Sequence, residues 1–107
     1  MFPKYLTNNS FYIVNTDLSN EEGMHWVVFV NKNHNIYFGD SMGNPVSYYK
    51  NIKINKNILI HHISNQRIQR EELCGLYCIY FAYLLFSQVT EYDLDDNSLM
   101  RFFSQYL

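Results

Sequence analysis

The sequence predicts an α+β fold, in which a small, mostly antiparallel sheet carries a buried helix on one face. Two observations support this prediction. Two runs rich in β-branched and aromatic residues are joined by a short polar turn, which favours a hairpin. A long apolar run, Leu73 to Phe86, is typical of a core helix, because a helix that crosses a bilayer needs about 20 such residues.

The composition fits one domain that spans residues 1–107. A chain of 107 residues has room for one core, and 48% hydrophobic residues with ten Tyr and eight Phe can fill it. The net charge of −2 and the scattered basic residues give no electrostatic footprint for nucleic acid. The first residues lack a sustained apolar segment, so we expect neither a signal peptide nor a membrane span.

The strands are expected between residues 11 and 63. Residues 11–15 form a short β-type run, and His25 to Val30 is almost continuously apolar, as expected for a central strand covered on both faces. A polar turn at residues 31–35 leads into a returning, antiparallel strand at residues 35–39. Residues 58–63 are a further strand candidate of the same sheet.

The other segments are predicted from turn and cap residues. Residues 40–45 have the composition of a turn. For residues 47–54 the sequence does not decide between a short helix and an irregular segment. The main helix is expected from Cys74 to Gln88. Residues 95–98 form a good N-cap region for a last helix. The apolar positions of that helix are Leu99, Met100, Phe102, Phe103 and Tyr106.

The order of three residues suggests thiol chemistry. Cys74 stands at the predicted start of the main helix, where the helix dipole and the first N–H groups favour a thiolate. His25 and Asp40 stand at predicted strand ends, and hairpin pairing would bring them together. An imidazole can take the thiol proton, and an acid can fix the tautomer of that imidazole. The set predicts nucleophilic catalysis, with peptide-bond hydrolysis as the leading hypothesis.

Each of these residues also has an ordinary structural interpretation. Cys74 and Cys78 can both be core cysteines, His25 can be a hydrogen-bonded strand residue, and Asp40 can be a turn residue. The two cysteines lie one helical turn apart, so we expect no disulfide and favour a reducing compartment.

A zinc site and an oxyanion donor are further alternatives. A Cys2His2 site from His61, His62, Cys74 and Cys78 is disfavoured, because adjacent strand residues point to opposite faces. We therefore expect no metal or cofactor. Gln66 and Gln69 precede the cysteine, and the side-chain amide of either residue could donate to an oxyanion.

Several motifs resemble one known family. They are residues 12–17, Gly-Met-His-Trp at 23–26, residues 37–43 and Cys-Gly-Leu-Tyr-Cys at 74–78. In this order they resemble the adenain-like cysteine proteases of Polinton/Maverick elements and large DNA viruses, which share a clan with the SUMO/ubiquitin-like proteases. The resemblance covers about residues 11 to 88. It implies a papain-like clan fold with the adenain/ubiquitin-like-protease topology.

The resemblance also implies an activity. His25 would be the general base, Asp40 its orienting acid, Cys74 the nucleophile and Gln69 the oxyanion donor. The substrates would be structural precursor polypeptides such as capsid precursors, cleaved near Gly-Gly in host cytoplasm, nucleus or virion. The alternative is a member of the same fold that has lost activity and binds proteins.

Overall fold

The computed structural model describes residues 7–16, 25–54, 57–62, 73–87 and 95–105. These residues form one sheet with two helices, so the α+β class is confirmed. The strands are β1 (Ser10–Asn15), β2 (Trp26–Lys32), β3 (Asn35–Gly39) and β4 (Ile60–His62). The helices are α1 (Cys74–Phe86) and α2 (Asp96–Ser104), and a single 3-10 turn covers Val46–Tyr48.

The sheet is mixed, with the strand order β1-β2-β3-β4. β2 pairs antiparallel with both β1 and β3, and β4 joins the other edge of β3 in parallel. The mostly antiparallel character of the predicted sheet is therefore confirmed, and β4 is its exception. In the register of the hairpin, Val28 lies opposite Gly39.

The β2–β3 hairpin is closed by the two residues Asn33 and His34. Both have positive φ, 52° and 65°, as a two-residue type I′ turn requires. The side chains of Asn8 and Asn9 accept hydrogen bonds from the N–H groups of His34 and Asn33, at 2.9 and 3.2 Å. The turn conformation and these bonds fix the register of the hairpin, and hence the positions of residues 25 and 40.

β2 is buried on both faces, as its apolar sequence predicts, and Val27 to Val30 have no exposed surface. On one face, Val28 and Val30 pack with Leu73, α1 and α2. On the other face, Val27 and Phe29 pack against an irregular segment rather than a helix. The partly buried residues on that second face include Ile36, Val46, Tyr49, Ile52, Ile54 and Ile60.

Gly39 lets α1 approach the end of β3 very closely. A Cβ atom at Gly39 would lie 2.8 Å from the Cγ and Cδ2 atoms of the Phe81 ring. Phe81 is buried and stacks on Tyr77 of the same helix, with ring centroids 6.1 Å apart. The missing side chain at Gly39 therefore sets the separation between α1 and the residue that precedes Asp40.

Several elements differ from the sequence prediction. Residues 47–54 contain no α-helix, and the chain follows the 3-10 turn with an irregular path over the second sheet face. The main helix ends at Phe86 rather than residue 88. Asp95 caps α2 as predicted, by accepting the N–H of Ser98 at 2.8 Å, whereas Tyr106 lies outside the described residues. None of the helices described is long and apolar enough to cross a membrane.

Candidate active site

His25 and Asp40 are in direct contact. Gly39 is paired with Val28, so Asp40 follows the end of β3 beside Val27, two residues from His25. The Nε2 atom of His25 lies 2.7 Å from Oδ1 of Asp40. The Asp40 side chain is only 1% exposed, and that of His25 is 18% exposed. The hairpin therefore brings together the two residues that sequence spacing predicts to meet.

The Asp40 carboxylate accepts hydrogen bonds at both oxygens. Oδ1 accepts from His25 and from the N–H of Met42 at 3.0 Å, while Oδ2 accepts from the hydroxyl of Tyr49 and the N–H of Asn44 at 3.3 Å. Burial alone would raise the pKa of Asp40. The bonds from His25, Tyr49 and Met42 outweigh burial, so the pKa lies below its ordinary value.

The ionised carboxylate determines the tautomer of His25. A carboxylate can only accept hydrogen bonds, so Nε2 of His25 must carry the proton in this contact. In the neutral ring, Nδ1 is then the nitrogen with a lone pair, and it can accept a proton from a thiol. The contact thus leaves the neutral imidazole with one defined basic atom, Nδ1.

Tyr49 contacts both members of this pair. Its hydroxyl donates to Oδ2 of Asp40, and its ring stacks on the imidazole of His25 with a centroid separation of 5.8 Å and an interplanar angle of 29°. Burial, and then the hydrogen bond to Asp40, raise the pKa of Tyr49 above its ordinary value. The phenol is therefore protonated at neutral pH and acts as a donor to the carboxylate.

The backbone of His25 is held by the end of β1. Its carbonyl accepts the N–H of Thr16 at 2.9 Å and the hydroxyl of Thr16 at 3.2 Å. The carbonyl of Thr16 in turn accepts the side-chain amide of Asn51 at 2.8 Å. The segment that carries Tyr49 is thus tied to the strand next to His25.

Cys74 is the first residue of α1 and is 4% exposed. Leu73 is the N-cap residue, and its apolar side chain makes no hydrogen bond to the helix start. The start of α1 packs near Trp26, because a Cβ atom at Gly75 would lie 4.0 Å from the Trp26 ring. The residue after His25 therefore adjoins the residue after Cys74.

The two halves of the candidate site come from opposite faces of the sheet. Asp40 and His25 contact Tyr49, which belongs to the face covered by the irregular segment, whereas α1 packs on the other face. A thiol of α1 can meet the imidazole only around the end of the sheet, where β2 begins and β3 ends. The contact between Cys74 and His25 stays a prediction.

Cys78 has the properties of a structural cysteine. It has no exposed surface, and burial, followed by the charges of Cys74 and Asp40, raises the pKa of its thiol well above the ordinary value. The two cysteines are not joined in a disulfide. Tyr77 and Phe81 line the same cavity as Asp40, so α1 lies near the carboxylate.

A cavity of about 300 Å³ separates Asp40 from β4 and α1. His62 lines it, and Nε2 of His62 accepts the N–H of Val46 at 3.3 Å. Burial and the neighbouring His61 lower the pKa of His62, so its ring is neutral at pH 7.

The alternative zinc set is not assembled. The ring of His61 contacts Tyr37 and that of His62 contacts Phe38, and these are successive β3 residues whose side chains point to opposite faces. Among the described residues, no group of three or more His, Cys, Asp or Glu side chains could hold a metal ion.

Sequence reasoning did not single out Tyr49, Thr16 or Asn51. Tyr49 is one of ten tyrosines and lies in the segment whose conformation the sequence left open. The sequence signal that could have identified Tyr49 is that it is an aromatic residue shortly after a turn aspartate. Gln66 and Gln69, the two candidate oxyanion donors, lie outside the described residues.

Comparison with protein-family models, with curated proteins and with solved structures found no match to this chain. The resemblance to the adenain-like proteases therefore rests on the motifs themselves.

Proposed function

We propose that this protein is a cysteine endopeptidase with His25, Asp40 and Cys74 as its catalytic triad. The observation that carries the proposal is the 2.7 Å contact from Nε2 of His25 to a buried, ionised Asp40. That contact directs the basic Nδ1 atom away from the acid and makes it available to a nucleophile. Cys74, at the start of a helix that packs near Trp26, is the nucleophile that the fold offers.

The proposed reaction follows from these positions. Nδ1 of His25 takes the thiol proton, and Asp40 balances the imidazolium charge. The thiolate attacks the scissile carbonyl, and the N–H groups at the start of α1, with Gln69, stabilise the oxyanion. The imidazolium then protonates the leaving amine, and water hydrolyses the acyl-enzyme with His25 as its base.

The substrate class in this proposal comes from the motif resemblance. The substrates are structural precursor polypeptides, including capsid precursors, and cleavage occurs near Gly-Gly. The adenain-like topology is part of the same proposal. No metal or cofactor enters the reaction, because a thiolate attacks a peptide carbonyl without one.

Alkylation by iodoacetamide over a range of pH tests the nucleophile and its base together. We expect the wild type to be alkylated at Cys74 well below the ordinary thiol pKa of about 8.5. His25→Ala should move that reactivity up to the ordinary range, and Cys74→Ala should abolish it. Cys78→Ala is the matched control, and it should keep the wild-type profile because Cys78 is buried.

Cleavage of an internally quenched peptide that contains Gly-Gly tests the reaction itself. Wild type and Cys78→Ala should cleave it, whereas Cys74→Ala should form no acyl-enzyme. His25→Ala should lose on the order of 10²–10⁴-fold in rate. Alkylation that does not depend on His25, together with no cleavage, would exclude the protease.

The burial of Cys74 favours one alternative function. At 4% exposure, Cys74 is less accessible than a nucleophile that a polypeptide must reach. A member of the same fold that has lost activity would act as a protein-binding module. In that case the wild type would show neither low-pH alkylation nor cleavage.

A further inference from the structure

The side chain of Tyr49 contacts both members of the His25–Asp40 pair. Its hydroxyl occupies Oδ2 of Asp40, and its ring lies against the imidazole. Four donors hold the Asp40 carboxylate, namely His25 and Met42 on Oδ1 and Tyr49 and Asn44 on Oδ2. Rotation of the carboxylate about χ2 would break these bonds, so the Tyr49 hydroxyl contributes to fixing its plane.

The stacked ring restrains the imidazole in a second way. A histidine held by one hydrogen bond can still swing about that bond. The Tyr49 ring lies 5.8 Å from the imidazole with an interplanar angle of 29°, so it limits this swing on one side. The His25 side chain is 18% exposed, so its neighbours do not enclose it completely.

Tyr49 is itself held firmly in place. Its N–H donates to the carbonyl of Val46 at 3.1 Å, and its carbonyl accepts the N–H of Ile52 at 3.3 Å. Its ring also contacts Phe38 of β3, which is buried on the second face of the sheet, at a centroid separation of 6.3 Å. Asn51 ties the same segment to Thr16, which holds the His25 backbone.

We propose that Tyr49 is a positioning residue, which fixes the Asp40 carboxylate with its hydroxyl and the plane of the His25 ring with its own ring. Its role in the reaction rests on the proposed function. The geometric part stands independently, because it concerns groups that are in contact without a substrate. Side chains at a functional site keep their orientation when neighbouring residues contact them and limit their rotation.

The test compares Tyr49→Phe, Tyr49→Leu and the control Tyr48→Phe. Phenylalanine keeps the stacked ring and removes the hydroxyl, while leucine removes both. Tyr48 is the adjacent tyrosine, is largely exposed and contacts Tyr49 edge to face, so its hydroxyl is a matched control.

The first readout is the titration of the Asp40 carboxyl carbon by NMR, which does not depend on activity. Loss of the Tyr49 donor destabilises the ionised form, so the pKa of Asp40 should rise in Tyr49→Phe and stay unchanged in Tyr48→Phe. The other titratable groups that face Asp40 are retained in every variant. They are His25, Tyr77, Cys78 and His62.

The second readout is turnover of the Gly-Gly peptide. We expect kcat to fall on the order of 10-fold in Tyr49→Phe with KM unchanged, and further in Tyr49→Leu. An unchanged Asp40 titration in Tyr49→Phe would overturn the inference. A shifted titration in a wild-type protein that cleaves nothing would instead overturn the proposed function and leave the geometric role of Tyr49 intact. Turnover that is equal in wild type and both Tyr49 variants would overturn the catalytic part.

Discussion

Asp40 both closes the turn after β3 and forms part of the candidate site. Its carbonyl accepts the N–H of Gly43 at 2.9 Å, and its side chain accepts the N–H groups of Met42 and Asn44. These bonds close the turn after β3 and hold the carboxylate toward His25. A turn aspartate is thereby already oriented for use as the acid of a triad, so the two interpretations of this residue are compatible.

The clearest residue-scale prediction concerns Cys78. Cys78→Ala removes a fully buried thiol, so we expect a cost of about 1–2 kcal/mol in unfolding free energy from the small cavity. Alkylation of Cys74 should be unchanged. Urea unfolding and mass spectrometry of the alkylated protein measure the two effects. Alkylation of Cys78 in the native wild type would show that the two cysteines have been assigned the wrong roles.

The oxyanion donor is the other residue-scale prediction. A side-chain amide aimed at the developing charge acts in the transition state, so Gln69→Ala should lower kcat on the order of 10²-fold with little change in KM. Steady-state kinetics on the Gly-Gly peptide measure both constants.

Gln66→Ala is the matched control for this assay. If Gln66→Ala carries the loss and Gln69→Ala is silent, the donor lies three residues earlier. If neither affects an active wild type, the backbone N–H groups at the start of α1 supply the oxyanion hole alone.

At the scale of elements, the contact between Gly39 and Phe81 positions α1 against the end of β3. Gly39→Ala would place a Cβ atom 2.8 Å from the Phe81 ring, so we expect it to destabilise the fold by about 1–3 kcal/mol. The strained helix should also shift relative to Asp40 and slow the alkylation of Cys74. Urea unfolding measures the loss of stability, and the rate of Cys74 alkylation measures the effect of the helix shift.

A double-mutant cycle supplies the control for this contact. Phe81→Ala removes the Cγ, Cδ1 and Cδ2 atoms that a Cβ at Gly39 would meet. The cost of Gly39→Ala should therefore be smaller in the Phe81→Ala background than in the wild type. Equal costs in the two backgrounds would show that the clash is not the cause.

The elements that could be predicted from the sequence are those whose determining residues lie close together in the chain. The hairpin follows from apolar runs around a polar turn, and α2 begins where Asp95 can cap it. The proximity of His25 and Asp40 follows from the hairpin register alone. These features depend on residues close in sequence or paired across one turn.

The features that escaped prediction depend on distant contacts. The path of residues 47–54 is set by burial of Val46, Tyr49, Ile52 and Ile54 against the sheet, which competes with helix propensity. The parallel direction of β4 depends on the long connection from β3. Tyr49 reaches the site only because this segment crosses the second face, and no local pattern encodes that path.

For the whole molecule, the buried carboxylate couples stability to pH. The pKa of Asp40 in the folded protein lies below its ordinary value of 3.8. In the pH range between the two values the unfolded chain binds more protons than the folded one. The stabilisation by Asp40 is thus fully present above the ordinary value and is lost as pH falls through the folded value.

Urea unfolding between pH 7 and pH 2.5 tests this coupling. Asp40→Asn should be less stable than wild type at pH 7, because its amide NH₂ group cannot accept the bonds that a carboxylate oxygen accepts. The variant should also lose less stability on acidification, so the two curves should converge at low pH. The control is Asp95→Asn, which removes an exposed carboxyl with a lowered pKa but keeps a good N-cap side chain. Because Asp95 is exposed, its substitution should flatten the curve less than that of Asp40. A steeper acid loss in Asp40→Asn than in wild type would contradict the assignment of Asp40 as an ionised, buried acceptor.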